Sequence, residues 1–140
     1  MNKPERPVTQ QEALIYAMVT LSAADEKMSD RELLKIGDVV RTLPAFRDFD
    51  AEKLVAASKA CGEYLQFDDG IDQILDVIAN TLPPKLYETA YALAIEVAAA
   101  DLHVEQEELR FLQMLRDRLD LDKLAVAAIE RSARVRYRML

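Results

Sequence analysis

The sequence predicts an all-α fold of about seven helices. Three observations lead there. Every apolar stripe follows helical spacing. Capping signatures recur just before those stripes. No alternating run of β-branched residues survives more than four positions, so no strand is expected. One stretch also occurs twice. Residues 19–36, VTLSAADEKMSDRELLKI, align without a gap on residues 95–112, IEVAAADLHVEQEELRFL, at an offset of 76. Ala23, Ala24, Asp25, Glu32 and Leu33 fall on Ala99, Ala100, Asp101, Glu108 and Leu109. Val19, Leu21, Met28 and Ile36 fall on apolar equivalents, Ile95, Val97, Val104 and Leu112. Two related helical hairpins, 9–43 and 84–119, are therefore expected around a pseudo-twofold axis, inside a single domain spanning 1–140.

The elements follow in order. Thr9 and Glu12 have capping-box spacing, which starts the first helix at Thr9. Leu14, Met18 and Leu21 form its apolar face, and it ends near Asp25. Ser29 opens the second helix with Glu32 at its third position, and Met28 and Leu33 take the places of a hydrophobic staple. Leu33, Ile36, Val40 and Leu43 are expected to face the core, and Pro44 stops the helix. A third helix starts at Asp50 and runs past Leu54, Cys61 and Leu65, and the turn Asp68-Asp69-Gly70 ends it. The fourth carries Ile71, Ile74, Leu75 and Ile78. Pro83-Pro84 closes that pair, and Pro84 fits the first turn of the fifth helix, which presents Leu86, Ala90, Leu93 and Val97. Val104 and Leu109 repeat the staple, and Glu105 and Glu108 repeat the cap spacing, before a sixth helix with Leu109, Leu112, Leu115 and Leu119. A seventh runs from about Asp122 to the end. Leu21, Val97, Leu33 and Leu109 are expected as core residues at matching places in the two hairpins.

Composition bounds the function. A chain of 140 residues can bury a core without staples. At 51% apolar and 31% charged it is globular rather than disordered. The one cysteine, Cys61, has no disulfide partner in the chain and reads as a small core residue in a reducing compartment. The start, MNKPERPVTQ, has no apolar segment of the signal-peptide kind. No apolar run approaches the ~18 residues of a membrane span. A net charge of −7 argues against nucleic acid as the main partner.

The residues that could carry chemistry are acidic. Asp25 and Asp101 end one helix of each hairpin, and Glu32 and Glu108 open the next. Carboxylates suit hard cations such as Ca²⁺ or Mg²⁺, and Glu26, Asp30, Glu105 and Glu107 add charge nearby. The same Glu positions equally serve as caps that satisfy backbone N–H groups. Spacing leaves capping and weak cation binding both open. No EF-hand pattern is present. His103, the single histidine, reads as a surface loop residue and cannot make a His-based zinc site alone. Ser22, Ser29, Ser58 and Ser132 have no nucleophile-elbow context. Gly37, Gly62 and Gly70 make no phosphate loop. Arg131, Arg134, Arg136 and Arg138 make a basic end, with 131, 134 and 138 on one helix face. They either favour the negative helix end in solvent or contact an acidic partner or phosphate.

The segments AADEKMSDREL and AAADLHVEQEEL, each after an apolar helix, resemble the TerB family of tellurite-resistance proteins. The family's mark is an apolar helix ending in A-x-D or A-A-D, a short turn with a hydrophobic residue, and a Glu in the next helix, all occurring twice. A related domain is fused to membrane-anchored J-domain co-chaperones. The Gly often found after the Asp is Glu26 in the first copy and Leu102 in the second. The resemblance covers roughly residues 9–138. It implies an all-helical fold, a cytoplasmic setting extending to the inner face of the membrane, and a role in bacterial stress response. It allows weak Ca²⁺ or Mg²⁺ binding at Asp25, Glu32, Asp101 and Glu108, and implies no enzymatic activity and no further cofactor. The expected function is thus a non-enzymatic stress-response accessory that works through protein partners, without direct membrane insertion. The alternative is a metal-dependent enzyme built on the paired carboxylates. A direct tellurium-oxyanion binder is disfavoured, because oxyanions seek Arg, Lys or helix N-termini and these turns are acidic.

Overall fold

In the computed structural model, which describes residues 7–24, 28–101 and 104–140, the first helix forms the centre of the molecule. Helix α1 (Gln10–Ala23) touches α2 (Asp30–Thr42), α3 (Leu54–Tyr64), α4 (Gly70–Thr81), α5 (Tyr87–Ala100) and α6 (Gln106–Leu119). Its residues Glu12 to Ser22 are all buried, so it is covered on every face. The one-sided stripe Leu14–Met18–Leu21 is therefore only part of its buried surface. Thr9 caps it in both directions. The Glu12 N–H donates to Thr9 Oγ1 at 3.1 Å, and the Thr9 N–H donates to Glu12 Oε1 at 3.0 Å. The polar atoms inside the core are paired. Thr20 Oγ1 lies 3.2 Å from Cys61 Sγ, and the Tyr16 and Tyr64 rings meet edge-on at 6.1 Å. Burial pushes the Cys61 thiol up to about 12, with the Thr20 hydrogen bond opposing, so at neutral pH it packs as a small apolar residue.

Helix α5 lies along α1 and also packs on α2, α6 and the last helix, α7 (Lys123–Arg136). The buried apolar residues of all these elements form one cluster. Seven α-helices and three short 3₁₀ turns, Pro44–Phe46, Ala51–Lys53 and Pro84–Leu86, make up the ordered elements among the described residues, and no strand occurs there. Two of those turns modify the expected boundaries. Asp50 caps the turn Ala51–Lys53, and the α-helix proper starts at Leu54. Pro84 sits in a 3₁₀ turn that runs directly into α5. The seventh helix stops at Arg136, because Tyr137 leaves helical geometry and turns its hydroxyl onto Glu96. Asp122 caps that helix by accepting from Leu124 N and Ala125 N, both at 3.1 Å. Gly70 is required where α3 meets α4. A Cβ there would fall 2.0 Å from the Tyr64 carbonyl oxygen.

The placement of Leu33 and Leu109 differs from expectation. Leu21 and Val97 are fully buried, but Leu33 is 47% exposed and Leu109 50% exposed. Their neighbours Glu32 and Glu108 are buried instead, each at 2%. Adjacent residues on a helix point about 100° apart, so only one of each Glu–Leu pair can face inward. The buried stripe of α2 is Glu32, Ile36, Val39 and Val40. That of α6 is Glu108, Phe111, Leu112, Leu115 and Leu119. Each stripe thus begins with a carboxylate, and the hydrophobic staple lies on the surface side. No described helix is long and apolar enough to cross a membrane.

Candidate functional site

The duplicated turn is the first candidate. In the first hairpin the Glu32 N–H donates to Ser29 Oγ at 3.1 Å, and the Ser29 N–H donates back to Glu32 Oε1 at 3.3 Å. Ser22, in the last turn of α1, donates its hydroxyl to the same Oε1 at 3.0 Å. The carboxylate therefore joins the end of α1 to the start of α2. In the second hairpin the Glu105 N–H donates to Glu108 Oε1 at 3.2 Å. Ala98 stands where the first copy has Ser22, so that hydroxyl link belongs to the first hairpin alone. Asp101 caps the end of α5 and is half-buried. Asp25, Glu26 and His103 lie outside the described residues. Among the described residues no three or more Asp, Glu, His or Cys side chains gather as a metal would require. Glu32 and Glu108 are each engaged at a helix start. Outside them the turns present apolar side chains, Met28 and Leu33 in the first copy and Val104 and Leu109 in the second, with Leu34 66% exposed beside Leu33.

The basic end is the second candidate, and the structure divides its arginines. Arg136 Nη1 pairs with Glu96 Oε1 at 2.6 Å, the Tyr137 hydroxyl donates to Glu96 Oε2 at 2.6 Å, and Lys35 Nζ lies 3.6 Å from Oε2. Burial alone would raise the Glu96 carboxyl. The hydrogen bonds from Tyr137 and Arg136, with the charges of Arg136 and Lys35, outweigh that and hold it below the ordinary carboxylate value. The hydrogen bond with Tyr137 holds the Lys35 ammonium above its usual value, against the opposing pull of burial, with the Glu96 charge adding to the rise. This cluster clasps α7 to α5 and α2.

A second clasp lies farther along the same helices. Arg116 Nη1 donates to the Tyr91 hydroxyl at 2.9 Å and reaches Glu130 Oε2 at 3.3 Å, while Tyr91 donates to Glu130 Oε2 at 2.5 Å. Burial, then the hydrogen bond to Glu130, pushes the Tyr91 phenol up to about 12. Tyr91 meets Glu130, and Glu96 meets Arg136 and Tyr137, so α5 and α7 run in the same direction.

Arg134 and Arg138 have no ion pair among the described residues, and both line a trough of about 560 Å³ between α5, α6 and α7. Of the arginine face expected over 131, 134 and 138, Arg134 and Arg138 edge this groove and Arg131 does not line it, while Arg136, off that face, clasps the helix. Sequence reasoning did not find Tyr91, Glu96, Arg116, Glu130 or Lys35. Their partners are far away along the chain, and the only local signal is a tyrosine or a glutamate on an otherwise apolar helix.

A family model described as Tellurite resistance protein TerB matches residues 11–131, from the first turn of α1 into α7. No curated protein and no solved structure matches the chain.

Proposed function

The chain belongs to the TerB family of tellurite resistance proteins, and from that premise we propose that it is a non-enzymatic stress-response accessory that works by docking protein partners. One observation carries the reading. The duplicated turn points its glutamates inward and its staple residues outward, in both copies. Apolar side chains held outward at matching places beside acidic residues suit a docking surface. The reading places the chain in the cytoplasm, reaching the inner face of the membrane through its partners. The rival, a metal-dependent enzyme, needs several carboxylates converging on one ion with an open position. Glu32 and Glu108 already serve their helix starts, which counts against it.

The test is site-specific photo-crosslinking in the native host. Crosslinkers at Leu33 and Leu34 are expected to trap the same partner, and Leu33→Asp with Leu34→Asp should abolish its capture while the protein stays folded. Capture that survives the double substitution would move the docking surface elsewhere.

A second reading, weak cation binding at Asp25, Glu32, Asp101 and Glu108, has one observation in its favour. Both bonds received by the Glu32 carboxylate fall on Oε1, and Oε2 takes none among the described residues. Two carboxylates per turn are too few for a Ca²⁺ cage of 6–8 oxygens, so water or carbonyls would complete the shell and affinity would be roughly millimolar. Calorimetry with Ca²⁺ and Mg²⁺ should show a weak response that Asp101→Asn with Glu108→Gln removes.

A further inference from the structure

We propose that the trough between α5, α6 and α7 binds a single-chain anionic amphiphile, an alkyl carboxylate, with its head at Arg134 and Arg138. The floor of the trough is apolar, made by Ile95, Ala98, Leu112 and Ala133, and its wall carries Val104 and Leu109. Its volume of about 560 Å³ falls within the range of small-molecule sites. It follows α5 from Tyr91 to Ala99, roughly 12 Å at 1.5 Å per residue, the reach of a medium alkyl chain. The Tyr91–Glu130–Arg116 clasp closes one end, and its charges and hydrogen bonds are matched within itself.

At the other end charge complementarity selects the head group. Arg134 and Arg138 have no ion pair among the described residues, in a chain whose net charge is −7. Glu130, the one acid among the described residues that line the trough, is already held by Arg116 and Tyr91. Asp101, Glu105 and Glu107 sit on the adjoining turn, outside the lining. They would repel a head displaced toward α6, which directs it onto the α7 side. A carboxylate fits there as a charge-assisted hydrogen-bond acceptor for guanidinium groups, and the tail replaces water over Leu112 and Ala133. The site is independent of the turn surface at Leu33 and Leu34.

The experiment titrates the full chain with decanoate below its micelle concentration, followed by calorimetry and by amide chemical shifts. Saturable binding is expected, with shifts concentrated at Ile95, Leu109, Leu112 and Ala133. Decyltrimethylammonium should bind at least tenfold more weakly. Arg134→Gln with Arg138→Gln should weaken decanoate about tenfold or more, since it removes the charge-assisted hydrogen bonds to the head group. Arg131→Gln, a surface change outside the trough, should leave affinity unchanged. All three arginines are exposed, and thermal melts confirm that the variants fold. Equal affinity for the cationic amphiphile, or full affinity in the double variant, would overturn the proposal. So would binding seen only with anionic phospholipid vesicles and not with free decanoate, because the surface would then be a membrane contact.

Discussion

The two hairpins carry the same motif and solve one problem by different means. In each, a buried glutamate begins the inward stripe of the second helix. In the first, Ser22 and Ser29 surround that carboxylate, and the adjoining helix, α1, is buried on every face. In the second, Ala98 replaces Ser22 and Glu105 replaces Ser29. Its outer side is covered by α7, through Glu96 and Tyr91. At the position equivalent to Glu96 the first hairpin has Thr20, fully buried against Cys61. The first copy is thus the structural centre. The second carries a partly open flank where charged groups and a trough can exist. Both copies keep the inward carboxylate at the start of the second helix, and what packs outside decides which surface each leaves open: a bare helix face at Leu33 and Leu34 in the first, a trough beside α7 in the second.

The largest expected effect tests what the copies share. Leu21→Ala should cost about 2–5 kcal/mol, the range for large-to-small changes at buried sites. Val97→Ala should destabilise in the same sense and by less, since it removes fewer carbons. Urea unfolding of both variants checks this. A Leu21 loss near zero would mean that α1 is not the centre.

Next comes the polar difference. Ser22→Ala converts the first hairpin to the arrangement of the second and removes one hydroxyl from Glu32. A cost of about 1 kcal/mol is expected, the usual net value of one hydrogen bond. Glu32→Ala should cost more, about 1–3 kcal/mol, because it leaves the Ser29 N–H and the Ser22 hydroxyl without their acceptor in a buried place. A double-mutant cycle between Ser22→Ala and Glu32→Gln should show coupling. Additive losses would mean that the bond between α1 and α2 contributes nothing to stability.

The clasp on α7 is centred on Glu96 of the second hairpin, with Lys35 of the first beside it, and should make stability depend on pH. Glu96 has a lower carboxyl value folded than unfolded. Its contribution is therefore fully present above the unfolded value, near the ordinary 4.5, and is lost as pH falls through the lower folded value. Glu96→Gln should accordingly be less stable than the wild type at pH 7, with the gap closing as pH drops below that point. A gap that stays constant down to pH 3 would show that the ionised form of Glu96 does not hold α7.

Much of this architecture was legible in the chain. Thr9, Ser29 and Asp122 announce helix starts by their chemistry, and the structure has each of them capping. Apolar spacing located all seven helices. The all-round burial of α1 was missed because a search for one apolar face does not ask what covers the others; the clue was the uncharged run from Ala13 to Ala24. The inward turn of Glu32 and Glu108 was missed because a carboxylate ordinarily faces water. Yet Glu32, Ile36, Val39 and Val40 keep the spacing of a buried stripe. The clasps could not be read at all. Tyr91 and Glu130 are 39 residues apart, and only the packing of α7 on α5 brings them together. The acidic turns were legible as a pair of caps, which Glu32 and Glu108 provide.

The smallest expected effect on stability is the sharpest test of the comparison. Leu33 and Leu109 occupy the same place in the two copies, and both are about half exposed. Truncating either to alanine should change stability by no more than about 0.5 kcal/mol, as for a surface residue away from special features. If the turns only fold the chain, nothing else should change. The two positions differ in what lies beside them, however. Leu33 adjoins Leu34 on an open helix face, while Leu109 forms a wall of the trough. Leu33→Ala should therefore reduce partner crosslinking and leave decanoate binding intact, and Leu109→Ala should reduce decanoate binding. A loss of 2 kcal/mol or more at either site would return that leucine to the core and put its glutamate outside. Equal effects of both variants in both assays would mean that the hairpins act as one surface, and that the packing of α7 does not separate their roles.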